Sequence, residues 1–215
     1  MSLRFCPTHI MKFKGEIQRV VHDIMRRKEE RMKVLKKEIK WSWVILVTIG
    51  FVLFLSLVLP RVSAYTTKTI GDFPSPDTSF SYSAQDLYMM AKSYGLSGRD
   101  AYVFLRWTFD VLWPLVYTTF LVIWTMKLTS YIKGRRWIQS LYLLPMIAMI
   151  LDFIENTGAT IVMIRYPKSS GVIAQITPLV TLLKWTTLSV SFILIFLLVF
   201  VILYQKTMKK TMNKI

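Results

Sequence analysis

Residues 41–59 read WSWVILVTIGFVLFLSLVL and contain no charged side chain. About 20 mostly apolar residues are enough to carry a helix across the hydrocarbon core of a bilayer. Three later stretches also reach this length with few charges. The sequence therefore predicts an all-α fold, a polytopic membrane four-helix bundle with spans at about 41–59, 102–126, 137–164 and 177–204.

The composition is typical of a membrane protein and argues against a soluble domain and a nucleic-acid-binding protein. Of the 215 residues 53% are apolar, more than a soluble domain of this size could cover with polar surface. The formal charge of +16 lies beside the apolar stretches, and no aromatic or fold signature of nucleic-acid binding accompanies it. We therefore expect membrane lipids as partners and no nucleic acid, and any protein partner stays unidentified.

Cysteine and histidine are confined to the N-terminal 22 residues, at Cys6, His9 and His22. A disulfide, a CxxC redox pair or a histidine metal site therefore cannot form inside the membrane domain. The chain also lacks a phosphate loop, a dinucleotide fingerprint and a nucleophile elbow. We expect no metal and no cofactor.

Lysine and arginine counts predict the orientation, because positively charged segments resist translocation. Residues 1–40 carry 12, residues 127–136 carry 4 and residues 205–215 carry 4. The alternate segments 61–100 and 165–175 carry 4 and 2. This pattern predicts a multi-pass protein of the cell membrane with both termini cytoplasmic and an external loop at 61–100. Val62-Ser63-Ala64 fits a signal-peptide cleavage site, but the 40 residues before the first span and Arg61 favour a retained anchor.

The cytoplasmic tails, 1–40 and 205–215, are both basic. Within residues 13–40, apolar side chains recur at helical spacing among the charges, at Ile17, Val21, Ile24, Met32, Leu35 and Ile39. This spacing predicts a basic amphipathic helix. Its expected role is adhesion to anionic lipid of the inner leaflet, and the alternative is a segment that only keeps the N-terminus inside.

The external loop contains one helix signal. Ser83 and Asp86 form the pattern of a capping box, and Gly95 marks an end. One face of this short external helix is apolar, through Leu87, Met90, Ala91 and Tyr94. We expect either a lid on the outer mouth of the bundle or a plain surface helix.

Polar side chains within the predicted spans are the candidate site, since ionisable groups facing lipid cost several kcal/mol and are expected to pair inside the bundle. Asp110, Asp152 and Glu155 are candidate catalytic acids and bases. Helical spacing groups them with four candidate substrate-binding residues, which are Arg106, Tyr117, Asn156 and Lys184. A rise of about 1.5 Å per residue places several of these about 10–13 Å below the outer boundary, on three different spans.

These residues include three carboxyl groups and only two cations. One carboxyl is then left for a proton, a cation or a substrate group, which acid–base chemistry requires. The alternative is that the charges are ion pairs that hold the helices in register.

Several of these residues also carry a resemblance. Arg106-x3-Asp110-x3-Pro114 and Asp152-x-x-Glu155-Asn156, within residues 70–190, resemble a group of small prokaryotic four-span membrane proteins, most of them uncharacterised. The resemblance implies a four-helix fold and supplies no activity.

Three functions remain open from the sequence. The first is a membrane-embedded site for a lipid-like or small cationic substrate. The second is a non-enzymatic accessory or partner-binding protein whose charged cluster is structural. The third is proton or cation transfer.

Overall fold

The computed structural model of the protein describes residue 16 and residues 18–27, 39–132 and 136–212. The chain divides into two compact units, Met1–Ile39 and Lys40–Ile215. In the first unit residues 18–27 are helical, and Val20, Val21, Ile24 and Met25 are exposed. Of the helix predicted over 13–40, the structure also describes residues 16, 39 and 40. The other predicted positions, with Ile17, Met32 and Leu35, lie outside the described residues.

The second unit is built of helices, and no strand occurs among the residues that the structure describes. Their bounds are α1 (Trp41–Leu53), a π-helical segment (Phe54–Val58), α2 (Leu59–Thr69), a 3-10 turn (Pro76–Thr78), α3 (Ala84–Ser93), α4 (Gly95–Arg106), α5 (Phe109–Thr129), α6 (Arg136–Gln139), α7 (Leu143–Arg165) and α8 (Val172–Met212). Four helical stretches are long and apolar enough to cross a membrane, and they are Trp41–Thr69, Gly95–Thr129, Leu143–Arg165 and Val172–Met208. The predicted all-α polytopic fold is confirmed.

The first span does not stop where its apolar run stops. A proline directly after an apolar stretch commonly marks a helix end, but here the helix passes through the π-helical segment and continues past Pro60 as α2 to Thr69. Pro60 lies inside this continuous helix and has no backbone N–H to donate, and the π-helical segment directly before it accommodates the missing bond. The helix is thus longer than the predicted 41–59.

The second span is divided rather than continuous. It begins at Gly95, seven residues before the predicted start at 102, so Ser97 lies inside α4 and does not cap it. The helix breaks at Trp107 and Thr108 and resumes at Phe109. This break lies directly between two of the candidate site residues, Arg106 and Asp110.

The third and fourth spans also differ at their starts. The stretch predicted from 137 contains the short α6 before α7 begins at Leu143. The fourth span begins at Val172, five residues before the predicted start at Thr177, so Pro178 lies inside α8. Prolines within membrane helices are tolerated because neighbouring groups satisfy the freed backbone atoms.

The last two spans form the closest pair. A side chain at Gly158 of α7 would collide with Thr177 of α8, so the absence of a Cβ lets the two helices approach there. The second span packs against both of them, and the first span packs mainly against the second. Phe51 of the first span stacks on Phe120 of the second at 4.3 Å between ring centroids.

The two ends of the bundle are distinguished by their connections. The short helix predicted in the loop is α3, with the Ser83–Asp86 capping box formed and its predicted apolar face buried. We call the end that carries residues 70–94 and 166–171 the loop side. At the opposite end Trp41 Nε1 donates to the Tyr131 hydroxyl at 3.1 Å.

Candidate functional site

Arg106 is the centre of a first set of contacts, which we call the arginine group (Asp77, Arg106, Asp110 and Asn156). Its guanidinium contacts Asp77, lies 2.5 Å from Asp110 Oδ2 and donates to Asn156 Oδ1 at 3.2 Å. A guanidinium presents several donors in fixed directions, which suits it to binding three partners at once. The group joins the loop that carries Asp77 to the second and third spans.

Pro114 explains why Asn156 belongs to this group. A proline has no N–H, so the carbonyl of Asp110, four residues earlier, lacks its usual helical donor. The side-chain amide of Asn156 donates to that carbonyl at 3.1 Å. Asp110 lies in the first turn of α5, where the helix dipole favours a negative charge. The Arg-x3-Asp-x3-Pro spacing therefore has a structural basis in these contacts.

Lys184 is the centre of a second set, the lysine group (Tyr117, Asp152, Glu155 and Lys184). Its ammonium contacts Glu155 and lies 3.6 Å from Asp152 Oδ1. The Tyr117 hydroxyl donates to Asp152 Oδ2 at 3.0 Å. The structure thus brings all seven predicted residues into two groups. Glu155 and Asn156, which are neighbours in the chain, connect them.

The groups hold more carboxyls than cations. The carboxyls of Asp110, Asp152 and Glu155 are joined by Asp77, whose side chain is 19% exposed, while Glu155 is fully buried. Four acids therefore face two cations. The Glu155 Oε1 atom has no hydrogen-bond partner among the described residues. The carboxyl excess is larger than the single group expected from the sequence.

Two members of the site were not predicted. Asp77 lies in the 3-10 turn of the loop, where Ser75 donates to its Oδ2 at 2.7 Å. Tyr102 lies under the guanidinium of Arg106, 4.7 Å from ring centroid to Cζ, and its buried hydroxyl has no hydrogen-bond partner among the described residues. Tyr102 is one turn before Arg106, so helical spacing could have identified it. No sequence signal distinguishes Asp77 from the other loop acids.

Three tyrosines hold the loop side of the site together, because one bonds the loop to the fourth span, one bonds it to the 166–171 connection and one joins two parts of the loop. Tyr82 shares a hydrogen bond of 2.9 Å with Thr181, Tyr88 accepts one of 2.7 Å from the Ser170 amide, and Tyr94 donates one of 2.7 Å to the Pro74 carbonyl. Burial raises the pKa of Tyr94 to about 12, so its hydroxyl remains a donor at neutral pH. These bonds hold the segment with Asp77 over Arg106.

The arrangement restricts the chemistry. Both cations already contact carboxylates, so the site suits a positively charged group better than an anionic head group. Among the described residues no three histidine, cysteine, aspartate or glutamate side chains converge as a metal ion would require. The carboxyls are instead divided into two pairs, each with one cation.

The chain has no match among the protein-family models, the curated proteins or the solved structures with which it was compared.

Proposed function

We propose that the arginine and lysine groups form a binding site for a small cationic group, reached from the loop side past Asp77. The observation that carries the proposal is the excess of four carboxyls over two cations in a buried position. A buried charge without compensation is expensive, so the excess favours a bound proton or cation. Lysine and arginine counts support a loop side that faces out of the cell.

Asp77 and Glu155 have complementary places in this site. Asp77 is the most exposed of the four acids, and it is the first carboxyl that a cation would meet. Glu155 is fully buried, and its Oε1 is available as an acceptor. An incoming cation would replace a proton or part of the contact with Lys184. In this scheme Asp110, Asp152 and Glu155 are the acid–base candidates.

The test is a binding titration of the purified protein with ammonium, methylammonium and choline chloride at constant ionic strength. Constant ionic strength keeps screening of the surface charges equal in all titrations. We expect saturable heat with at least one of the three cations, lost in Glu155→Gln and retained in Asp86→Asn, whose carboxyl lies in the α3 cap. Failure of all three cations to bind, or equal binding by Glu155→Gln, overturns the proposal.

A structural role is the second candidate. Arg106 joins the loop and two spans, and Lys184 joins α8 to α7, so the same contacts hold helices in register. An accessory protein that binds no ligand would need these contacts only to hold its helices together. The two candidates differ in their response to neutralising one acid, which a structural role does not tolerate.

Transfer across the membrane has less support. Beyond Asp152, toward the side opposite the loops, the buried polar side chains include Thr118, Thr125, Thr129 and Ser191. Thr118, Thr129 and Ser191 donate to backbone carbonyls. Hydroxyls held in this way are a poor path for a proton.

The N-terminal unit supports a separate lipid contact. Within residues 18–27 the exposed apolar side chains of Val20, Val21, Ile24 and Met25 lie among arginines. An amphipathic basic helix of this kind binds anionic membrane surfaces, with about 1 kcal/mol contributed per basic residue. We place it on the inner leaflet.

A further inference from the structure

A groove between α7 and α8 lies away from the charged groups. Its volume is about 480 Å³, and its walls are almost entirely carbon. On α7 the lining residues include Ile150, Ile154 and Ile161, which face away from Asp152 and Glu155 on the same helix. The groove is therefore separate from the proposed cation site.

The polar residues of the groove offer little to a ligand. Thr157 donates to the Phe153 carbonyl at 2.8 Å, and Thr177 donates to the Ile173 carbonyl at 2.7 Å. Both hydroxyls are thus satisfied within their own helices. Binding in the groove is therefore favourable only for an apolar group.

The dimensions of the groove fit a hydrocarbon chain better than a helix. From Ile150 to Ile161 the rise is about 16 Å, close to one leaflet of a hydrocarbon core about 30 Å thick. A volume of about 480 Å³ along that length describes a narrow, open groove, whereas a helix with its side chains is about 10–12 Å across. The isoleucine side chains at the rim also prevent the close approach of another helix backbone. The small residue that would allow such an approach, Gly158, is already in contact with Thr177.

Two cations mark the loop-side end of the groove. Arg165 lies one turn beyond Ile161 on α7, and the Lys168 amide donates to its carbonyl at 2.8 Å, so both side chains leave from one turn. Both are exposed, and neither is ion-paired with a carboxylate among the described residues. A phosphate at the membrane surface would meet them.

We propose that this groove binds one acyl chain of an anionic glycerophospholipid in the leaflet on the loop side, with the head-group phosphate on Arg165 and Lys168. The apolar walls hold the chain, and the two cations select the charge of the head group. The bound lipid fills the space between the third and fourth spans.

The experiment is native mass spectrometry of the full chain in detergent, titrated with phosphatidylglycerol or phosphatidylcholine. We expect the parent to bind one phosphatidylglycerol more tightly than phosphatidylcholine. The double variant Arg165→Gln with Lys168→Gln should weaken phosphatidylglycerol binding about twenty-five-fold, at about fivefold per basic charge, and leave phosphatidylcholine binding unchanged. The matched control is Arg61→Gln with Lys68→Gln, which removes two other exposed cations near the loop side.

A second variant tests the groove itself. Ile154→Trp places a ring across the groove from a position that is 49% exposed, and Ile147→Trp adds the same ring at a position that is 47% exposed and outside the lining. We expect the first to weaken binding of both lipids at least tenfold and the second to leave it unchanged. Equal binding by the two tryptophan variants overturns the proposal, as does a parent that does not distinguish the two lipids.

Discussion

Replacing a basic residue of the buried groups should lower the free energy of unfolding more than replacing an acidic one. Lys184 contacts Glu155 and lies near Asp152, so Glu155→Gln leaves the ammonium paired. We expect a cost of about 1 kcal/mol, the usual value of one hydrogen bond. Lys184→Gln instead leaves two buried carboxyls without a cation, which we expect to cost about 3–5 kcal/mol.

The same asymmetry should hold in the arginine group. Arg106 contacts both Asp77 and Asp110, so Arg106→Gln removes the only cation of that group, whereas Asp110→Asn leaves Arg106 paired with Asp77. For a chain of this length 1 kcal/mol shifts the unfolding midpoint by about 2–4 °C. Base variants should therefore unfold roughly 6–20 °C below the parent, and acid variants within about 4 °C of it.

The assay is thermal unfolding in detergent, followed by tryptophan fluorescence. Arg61→Gln is the control, because it removes an exposed cation and should leave the midpoint unchanged. The double variant Lys184→Gln with Glu155→Gln should recover part of the loss, since it removes one of the two unpaired acids. If acid and base variants unfold equally early, the second acid of each group is as necessary as its cation, and the contacts are structural ion pairs.

Three other changes test the fold around the site. Gly158→Leu should lower the unfolding midpoint by separating the last two spans at Thr177, whereas Gly50→Leu, where a side chain meets open space, should not; equal midpoints would contradict the close approach. Hydrogen bonds from Ser83 lower the pKa of Asp86, so its stabilisation is present above the ordinary aspartate pKa and is lost as the pH falls through the lowered value; unfolding of Asp86→Asn against pH should lack that dependence. In a chain without its native cysteine, Phe80→Cys should react with an impermeant maleimide on intact cells, and labelling only after permeabilisation would reverse the orientation.

The basic tail gives one more expected outcome. Replacing Arg26 and Arg27 with glutamine should weaken binding to phosphatidylglycerol vesicles by about fivefold per charge and make the remaining binding less sensitive to salt. Unchanged binding would show that apolar insertion dominates.

Sequence reasoning identified the fold because four apolar stretches of membrane length leave few alternatives. It misplaced the end of the first span, next to Pro60, and the start of the fourth, next to Pro178, because a proline is a common helix boundary. A π-helical segment accommodates the first proline before the helix continues. The second lies inside a membrane helix that begins earlier, after Gly171 at a φ of +49°. These adjustments depend on the surrounding packing.

Helical spacing was sufficient for the part of the site that lies on helices. Arg106, Asp110, Glu155 and Lys184 recur at intervals that place them inside the bundle, and the structure brings them together. Asp77 could not be found in this way. It reaches Arg106 because the loop folds back over the bundle. The course of a loop cannot be predicted from the periodicity of the sequence.

The most direct test of the cation site is infrared difference spectroscopy of the buried carboxyls. Spectra of the protein in lipid would be recorded with and without the cation that binds in the titration. We expect a change in the carboxyl bands of the parent that is absent in Glu155→Gln and present in Asp86→Asn. Carboxyl bands that do not respond to the cation, or an unchanged response in Glu155→Gln, would contradict cation binding at these groups.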